Sequence, residues 1–298
     1  YAIDGPDQNG NTISYTFEEG GTGDIYTGNI SDFSQLFKGK KTFNKDIGYW
    51  NTSSATNMSG MFSNARKFNQ DISNWDVSNV TKMNGMFMNA KKFDQNIGNW
   101  DVSNVQDMSS MFRNSHRFNQ NLNTWNVANV TSMADIFRGA KDFNGNISSW
   151  DTSKVKNFIG SFHSAQSFNQ DISNWNVGSA TRMQRFLKNN NVFNMDLSGW
   201  DVRNIRSNPR DFAPNLTANG GVKPCWGLNG CSSSNLIPTL NSYSPNNFDN
   251  PNDSDLDLVL NFDMAVDAVN KKSNLILYRV NGNKFKRVAV YNLHTNKL

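Results

Sequence analysis

Hydrophobic residues recur along most of the chain with a period of 25 residues, and tryptophan marks this period most clearly. The tryptophan positions are Trp50, Trp75, Trp100, Trp125, Trp150, Trp175 and Trp200. Self-similarity at a constant period of this length is typical of stacked coils, because one repeat cannot bury its apolar side alone. The pattern therefore predicts a solenoid.

Two kinds of periodicity follow one another within each repeat. Trp75 and Val77 alternate with polar residues, which predicts a short strand with one buried face. The next apolar residues are spaced i, i+3, i+4 and i+7, which predicts an amphipathic helix. They are Met83, Met86, Phe87 and Ala90. The predicted fold class is α/β, a solenoid of 25-residue strand–helix coils.

The two predicted elements differ in thickness, which bears on the shape of the stack. Parallel strands stack about 4.8 Å apart, whereas packed helices are separated by about twice that distance. We therefore expect the stack to curve, with the strands on its concave side.

Four segments are expected from changes in the pattern along the chain. Residues 1–30 are polar and predict an N-terminal cap, and residues 31–213 form the repeat solenoid. Residues 214–236 predict a C-terminal cap. Residues 237–298 contain alternating, β-branched runs between Asn, Asp, Gly and Pro residues, which predicts a partial all-β module.

Two positions of the repeat are occupied only by Asp or Asn. One set is Asp46, Asp71, Asn96, Asn121, Asn146, Asp171 and Asp196, and the other is Asn51, Asp76, Asp101, Asn126, Asp151, Asn176 and Asp201. Such side chains bond to backbone amides at corners. Their oxygen atoms also suit calcium as a cofactor. The mixture of Asn with Asp, without dense Asp clusters, favours corner hydrogen bonding, and we expect no cofactor.

Charge and cysteine content narrow the possible partners. The net charge of +4 is too small to indicate a nucleic-acid partner. No stretch approaches the roughly 20 apolar residues of a membrane span. Cys225 and Cys231 are the only cysteines, and the histidines lie far from them in sequence. We therefore predict a disulfide rather than a metal site, which implies an oxidising setting outside the cytoplasm.

Residues 31–213 resemble the bacterial surface protein 26-residue repeat family, which is leucine-rich-repeat-like. The clearest unit is residues 68–90, Phe-Asn-Gln-Asp-Ile-Ser-Asn-Trp-Asp-Val-Ser-Asn-Val-Thr-Lys-Met-Asn-Gly-Met-Phe-Met-Asn-Ala. Residues 237–298 resemble the start of an S-layer-type bacterial Ig-like domain, through 242–245, 258–262 and Ala265-Val266. These resemblances imply an extracellular or bacterial cell-surface protein with an adhesive or ligand-binding role. Neither implies a catalytic residue set.

Two exposed surfaces are candidates for ligand binding. The outward positions of the predicted strands form the surface that we call the polar row. Its members are Asn74, Asp76, Asn99, Asp101, Thr124, Asn126, Ser149 and Asp151. Solenoids generally bind ligands on an extended concave face, which favours this surface.

Basic residues at the ends of the predicted helices form the second surface, which we call the basic ridge. Its members are Lys41, Arg66, Lys67, Lys91, Lys92, Arg117 and Lys141. A row of cations attracts anionic glycans or lipid headgroups. Alternatively, cations at helix C-termini complement the helix dipole. The sequence leaves both explanations open.

The sequence predicts a non-catalytic ligand-binding or adhesion protein. Its expected partner is a protein or glycan on a host or neighbouring cell, with no nucleic acid and no membrane span. No histidine has a nucleophile at a typical spacing, and no cluster of metal ligands is evident. A structural spacer that presents other domains is the alternative. A glycan-active surface enzyme comes third, because the Asp columns contain pairs of carboxylates.

Overall fold

The structure, a computed structural model, describes residues 27–226 with their side chains and, outside that range, the backbone of six strands. The strands are β1 (Ala2–Pro6), β2 (Thr12–Thr16), β3 (Leu240–Pro245), β4 (Leu258–Phe262), β5 (Asn274–Asn281) and β6 (Lys284–Asn292). The chain divides into two compact units, Tyr1–Gly230 and Cys231–Leu298.

The repeats of the first unit stack on one another in register. One residue of each coil forms a parallel bridge with its equivalent in the next coil. The bridged residues are Asp32, Asn57, Lys82, Asp107, Ser132, Asn157 and Arg182. Consecutive members are 25 residues apart, so the structural period equals the sequence period. Each position of the repeat therefore lies beside its equivalents in the coils before and after it.

The predicted helix is wrong, because residues 27–226 contain no helix. The apolar stripe that begins at Met83 is buried as expected, but its backbone follows a series of turns. The N–H of Met86 bonds to the carbonyl of Met83 in its own coil at 3.1 Å, whereas the N–H of Gly85 bonds to Ser109 in the next coil at 2.8 Å. The i→i−4 bonds that define an α-helix therefore do not form here.

Left-handed backbone at two positions of each coil explains the absence of a helix. Gly85 has a φ of 62° and Asn89 a φ of 59°, a region that few residues besides Gly, Asn and Asp adopt readily. The equivalents of Gly85 are Gln35, Gly60, Ser110, Asp135, Gly160 and Arg185. The equivalents of Asn89 are Gly39, Asn64, Asn114, Gly139, Ser164 and Asn189. A right-handed helix cannot continue through such positions.

The predicted strand around Trp75 is also wrong. The N–H of Trp75 closes a tight turn on the carbonyl of Ile72 at 3.2 Å, and Val80 closes the next turn on Val77 at 2.9 Å. Two successive turns thus produce the alternation of buried and exposed residues. The fold of residues 27–226 is therefore not the predicted α/β, leucine-rich-repeat-like solenoid. The prediction that the coil stack curves is no longer supported, because it assumed helices that are thicker than the strands.

Aromatic rings stacked from coil to coil form the core. Trp125 and Trp150 lie 6.3 Å apart with their planes 2° from parallel, and every tryptophan of the repeat is at most 5% exposed. Phenylalanines stack beside them, with Phe87 lying 3.9 Å from Phe93 in its own coil and 5.7 Å from Phe112 in the next. The predicted burial of the tryptophans is confirmed.

The stack continues beyond residue 213. The N–H of Leu197 bonds to the carbonyl of Val222 at 2.8 Å, and Asp196 forms a parallel bridge with Val222. Trp226 packs edge-on against Phe212 with ring centroids 4.8 Å apart. Residues 214–226 therefore contact the last coil, and the remainder of the predicted cap lies outside the described residues.

Cys225 lies near the end of the described stack and forms a disulfide bond. Cys231, the other cysteine of the chain, lies outside the described residues. The bridge between these two residues stays a prediction.

The six strands pair antiparallel in three two-stranded sheets, β1 with β2, β3 with β4 and β5 with β6. The β1–β2 pair lies in the predicted N-terminal cap, where the pattern did not indicate strands. The strands β3 to β6 occupy the alternating runs expected to be β, but no hydrogen-bonded pairing joins their two sheets among the described strands. An Ig-like domain is therefore not shown, and Ala265 and Val266 lie outside the described residues.

The described part of the chain has no helix of the length and hydropathy needed to cross a membrane.

Candidate functional site

The eight residues of the polar row lie on the surface of the coil stack, on turns rather than on strands. Asn74 and Asp76 are exposed on either side of the buried Trp75, and the same arrangement recurs in the coils that follow. The register of the stack therefore places the predicted row on one side of four adjacent coils.

The Asp and Asn side chains of these columns stabilise the turns. Asp76 Oδ1 accepts the backbone N–H of Ser78 at 3.0 Å and the Ser78 hydroxyl at 2.6 Å. The equivalent backbone bond is made in the other coils by Asn51, Asp101, Asn126, Asp151, Asn176 and Asp201. The column that begins at Asp46 makes the same bond in all seven coils. The predicted corner role is confirmed.

These hydrogen bonds also keep the carboxylates charged. Hydrogen bonds from Ser103 lower the pKa of Asp101, and hydrogen bonds from Ser153 lower the pKa of Asp151. Within residues 27–226, neither Asp101 nor Asp151 forms an ion pair. Both residues are exposed, so their carboxylates are accessible to a ligand.

Hydroxyl groups of the polar row bond to the backbone instead. Thr124 Oγ1 donates to the carbonyl of Gly98 at 2.6 Å, and Ser149 Oγ donates to the carbonyl of Asn123 at 2.5 Å. The side-chain amide of Asn74 has no hydrogen bond within residues 27–226. The row thus offers a ligand carboxylate oxygens and amides, but few free hydroxyl donors.

No metal centre is evident in the part of the chain that the structure describes. Within those residues, no three His, Cys, Asp or Glu side chains are grouped so that they could hold an ion. A calcium site takes about six to eight oxygen ligands, whereas Asp76 and Asp101 each already bond a serine through one oxygen. The Asp columns therefore give no argument for calcium.

The seven residues of the basic ridge are all exposed, on equivalent turns of five consecutive coils. Backbone hydrogen bonds connect neighbouring turns directly. The N–H of Lys67 donates to the carbonyl oxygen of Lys41 at 3.1 Å. The N–H of Ser167 donates to the carbonyl oxygen of Lys141 at 3.0 Å. Ridge positions in adjacent coils are therefore separated by one coil spacing, roughly 5 Å.

A helix dipole does not account for the ridge, because residues 27–226 contain no helix. The N–H of Phe93 closes a tight turn on the carbonyl of Ala90 at 3.1 Å, and Lys91 and Lys92 occupy its corners. The backbone of this turn does not require a cation, because the equivalent corners of a later coil are the uncharged Gln166 and Ser167. The structure therefore removes one of the two explanations for the ridge.

Most of the ridge lacks a counter-charge. Arg117 pairs with Asp142 at 3.3 Å, and both side chains are largely exposed, so the pair contributes at most about 1 kcal/mol. Among the residues that the structure describes, the other six ridge cations form no ion pair. Six of the seven ridge cations thus have no counter-charge in contact with them, and the surface is predominantly positive.

A second group of basic residues, which the sequence analysis missed, shares one counter-charge. Arg113 and Arg138 lie 3.5 and 3.4 Å from the same carboxylate oxygen of Asp135. Their common position in the 25-residue register was the available signal. Lys82 and Lys156, elsewhere on the described stack, also form no ion pair, so the ridge differs from the rest of this surface in the alignment of its cations along five coils.

His116 lies in the ridge and responds to its charge. Burial lowers the pKa of His116 most, and the positive charges of Lys91 and Lys141 lower it further, while Asp142 opposes them. The imidazole is therefore mainly neutral at pH 7, and it is a probe of the local charge.

A row of five asparagines, interrupted by Asp94, runs beside the ridge, and the sequence analysis missed it. Asn69 Oδ1 accepts the backbone N–H of Asp94 in the next coil at 2.9 Å. The same bond is made by Asn44, Asp94, Asn119, Asn144 and Asn169. We call this set the amide row. A backbone N–H can only donate, so it identifies the amide oxygen and leaves the NH2 group for other partners.

A buried phenylalanine column supports both rows. Phe93 lies in sequence between Lys92 and Asp94, and it stacks on Phe68 and Phe118 with centroids 5.9 Å apart on each side. All three rings are fully buried. Ridge and amide-row residues thus flank a rigid aromatic column, on equivalent backbone positions of each coil.

One family model matches the chain twice, over residues 11–125 and 107–222, and the two matches together span more than two thirds of it. The family is described as "Mycoplasma protein of unknown function, DUF285". No curated protein and no solved structure matches the chain. The family match covers the coil stack and supports a bacterial repeat protein, while it assigns no ligand to either surface.

Proposed function

This chain belongs to the DUF285 family of bacterial repeat proteins, and on that premise we propose that it is a non-catalytic ligand-binding or adhesion protein displayed outside the cell. Its partner is a protein or glycan on a host or neighbouring cell. The proposal is carried by the register of the coils, which repeats each exposed position at a constant spacing.

Rigid, repeated surfaces favour binding through many weak contacts. The exposed side chains lie on turns whose backbone hydrogen bonds recur in every coil, so little conformational entropy is lost when they engage a ligand. Several coils, or several copies on one cell, then add their contributions. This arrangement suits adhesion better than the binding of one small molecule.

Exposed positions vary between coils where buried positions do not. The position before each tryptophan is occupied in turn by Tyr49, Asn74, Asn99, Thr124, Ser149, Asn174 and Gly199. The core position beside it is always tryptophan. A binding surface tolerates such variation because it does not affect packing, which supports a role for the exposed faces.

The disulfide of Cys225 supports display outside the cytoplasm, since disulfides persist in oxidising compartments. Labelling of intact cells with a membrane-impermeant amine reagent tests this location. We expect the exposed lysines of the ridge to be labelled before lysis, and labelling only after lysis would contradict the proposal.

Adhesion is tested by displaying the chain on a non-adherent bacterium and counting the cells retained on a host-cell layer. We expect retention to exceed that of the same bacterium without the chain. Two double variants, displayed at the same level on the cell surface, compare the candidate surfaces. Asp76→Asn with Asp101→Asn changes the polar row, and Lys91→Gln with Lys92→Ser changes the ridge. No retention above background would contradict the proposed function.

A spacer that presents other domains is the second candidate, and the uniformity of the coil-to-coil hydrogen bonds favours it. Deleting one whole period preserves the register, so two deletions discriminate between the candidates. Deletion of residues 76–100 removes Asp76 and Asn99 of the polar row together with Lys91 and Lys92 of the ridge. Deletion of residues 151–175 removes Asp151 of the polar row and no ridge residue. A binding role predicts a larger loss of retention from the first deletion, and a spacer predicts equal effects.

A further inference from the structure

Most of the positive charge on the ridge has no partner to balance it among the described residues. Six of its seven cations form no ion pair among residues 27–226, and ridge positions in adjacent coils are roughly 5 Å apart. Like charges at that separation repel one another even in water. A multivalent anion lying along the ridge would relieve this repulsion in several coils at once.

The ridge has the geometry of a linear site. It crosses five coils, from Lys41 to Lys141, a length of roughly 20 Å. Each of the five turns contributes one or two cations. A chain of pyranose units has a repeat similar in length to one coil spacing, so successive acidic sugars would meet successive turns.

The amide row supplies the neutral donors that a sugar needs. Asn69 lies two residues after Lys67, and the buried Phe68 separates them in sequence, so both flank the same ring. The oxygen of Asn69 is held by the backbone of the next coil, which leaves its NH2 group to donate to hydroxyl or ring oxygens. Cations for acidic groups and amides for hydroxyls thus lie side by side.

Two acids interrupt this surface, and both are engaged. Asp142 pairs with Arg117 at 3.3 Å. Asp94 accepts the backbone N–H of Asn119 at 2.9 Å and the side-chain amide of Gln120 at 2.7 Å. The charge of Asp142 is thus offset by Arg117, whereas the partners of Asp94 are neutral and leave it as one acid among the more numerous ridge cations.

Other polyanions fit this surface less well. Proteins that bind single-stranded nucleic acid stack the bases on exposed aromatic side chains. In residues 27–226, Tyr49 is the one exposed aromatic residue, and it lies in the column of the polar row. Membrane-surface binding uses exposed apolar side chains beside the cations, and the ridge turns provide none.

We propose that the basic ridge and the amide row together bind a linear anionic polysaccharide, one that carries carboxylate or sulfate groups along its length. This inference rests on the proposed function, since it names the ligand class and the surface through which adhesion occurs. The cations contact the acidic groups, and the amides contact the sugar hydroxyls.

Calorimetry with defined oligosaccharides tests the ligand class. The probes are a polyuronate hexasaccharide, a sulfated hexasaccharide and an uncharged glucose hexasaccharide. We expect at least one acidic probe to bind the full chain, with an affinity that falls as salt is added, and the uncharged probe not to bind. Binding of all three with equal affinity, or of none, would overturn the proposal.

Substitutions drawn from the chain itself test the surface. The variant Lys91→Gln with Lys92→Ser introduces the residues that Gln166 and Ser167 place at the equivalent turn, so the coil is expected to fold normally. We expect the Kd of the acidic probe to rise about tenfold. The reverse variant, Gln166→Lys with Ser167→Lys, extends the ridge by one coil and is expected to lower the Kd.

A matched control separates the ridge from net charge. Lys82→Ser with Lys156→Thr removes the same two charges elsewhere on the stack, at positions where Ser132 and Thr181 are the equivalents. We expect this variant to bind like the parent chain. An equal loss in both variants would show attraction to overall charge only, and would overturn the ridge as a site.

Proton NMR gives a readout at the site. An acidic oligosaccharide on the ridge would offset the effect of Lys91 and Lys141, so the pKa of His116 should rise on saturation. His163 is an internal control, because its neighbouring charges are Arg138, Asp135, Lys188 and Arg185, off the ridge. A shift at both histidines, or at neither, would contradict binding at the ridge.

Two further probes examine the competing polyanions. If duplex DNA or vesicles of anionic phospholipid bind the ridge and the acidic oligosaccharides do not, the ligand class is wrong. If the displayed chain adheres to cells and yet binds none of the oligosaccharides, this inference fails while the proposed function stands. If the displayed chain neither adheres to cells nor binds an oligosaccharide, both this inference and the proposed function are wrong.

Discussion

The indole N–H of Trp125 donates a hydrogen bond to the carbonyl oxygen of Ile97, one coil earlier, at 3.0 Å. The same bond joins Trp75, Trp100, Trp150, Trp175 and Trp200 to residues 28 positions before them. Tryptophan therefore fills the core and links adjacent coils through one side chain. Phenylalanine has no donor and can do only the first of these.

Truncation of this side chain should destabilise the stack strongly. We expect Trp125→Ala to lower the free energy of unfolding by about 3–5 kcal/mol, because a large cavity replaces a buried ring. Trp125→Phe should cost less, since part of the ring remains, but more than the roughly 1 kcal/mol of the hydrogen bond alone. Urea denaturation measures both variants. Equal stability of Trp125→Phe and the parent chain would contradict a role for the indole bond.

Relief of left-handed strain should stabilise the chain. Ser110 has a φ of 58°, at a position where other coils have glycine. We expect Ser110→Gly to raise the free energy of unfolding by up to about 1 kcal/mol, and Ser110→Val to lower it. Ser109→Gly is the control, because Ser109 is not left-handed and its hydroxyl bonds Ser132 at 2.7 Å. Stabilisation by the control substitution would count against this explanation.

Close approach of the backbone restricts several glycines, and Gly145 has the closest backbone neighbour. A methyl group on Gly145 would collide with the carbonyl oxygen of Gln120 in the preceding coil. We expect Gly145→Ala to lower the free energy of unfolding by about 1–3 kcal/mol. Gly199→Ala is the matched control, since no atom lies within 4 Å of the added methyl group. Thermal denaturation should separate the two variants, and similar melting temperatures would contradict the prediction.

Acid should weaken the turns through their carboxylates. Hydrogen bonds from serine lower the pKa of Asp101 and Asp151 in the folded chain, so their contribution is present above the unfolded pKa of about 3.9 and is lost as pH falls through the folded pKa. Asp101→Asn with Asp151→Asn keeps the acceptor oxygen and removes the charge. The parent chain should be more stable than this variant at pH 7, and the difference should shrink below about pH 4. Parallel stability curves across this range would contradict the expected linkage.

Oxidation of the cysteines is directly measurable. Cys225 forms a disulfide, so thiol titration of the unreduced chain should find no reactive thiol. Reduction should expose residues 214–226 to proteolysis before the central coils, because the constraint at that end of the stack is removed. Two reactive thiols before reduction would rule out the Cys225–Cys231 bridge.

The core and the surface could be predicted from the sequence because both depend on which positions are apolar. Trp75 and Phe87 were assigned to the core and are buried, and Asn74 and Asp76 were assigned to the surface and are exposed. The corner role of the Asp and Asn columns was also predictable, since such side chains bond the backbone locally. The missing counter-charge on the ridge was not predictable, because it depends on which acids lie nearby in other coils.

By itself, the sequence determined the period, the stacking register and the inward residues, since each of these follows from the repeated unit. Only the tertiary structure decided the backbone conformation. The apolar spacing that begins at Met83 fits a helix and also fits a series of turns, and the outcome depends on where the backbone N–H groups find acceptors. The N–H groups of Gly85 and Phe87 bond to carbonyl oxygens of the next coil. Those acceptors come into place only once the coils stack, so a pattern confined to one repeat could not reveal them.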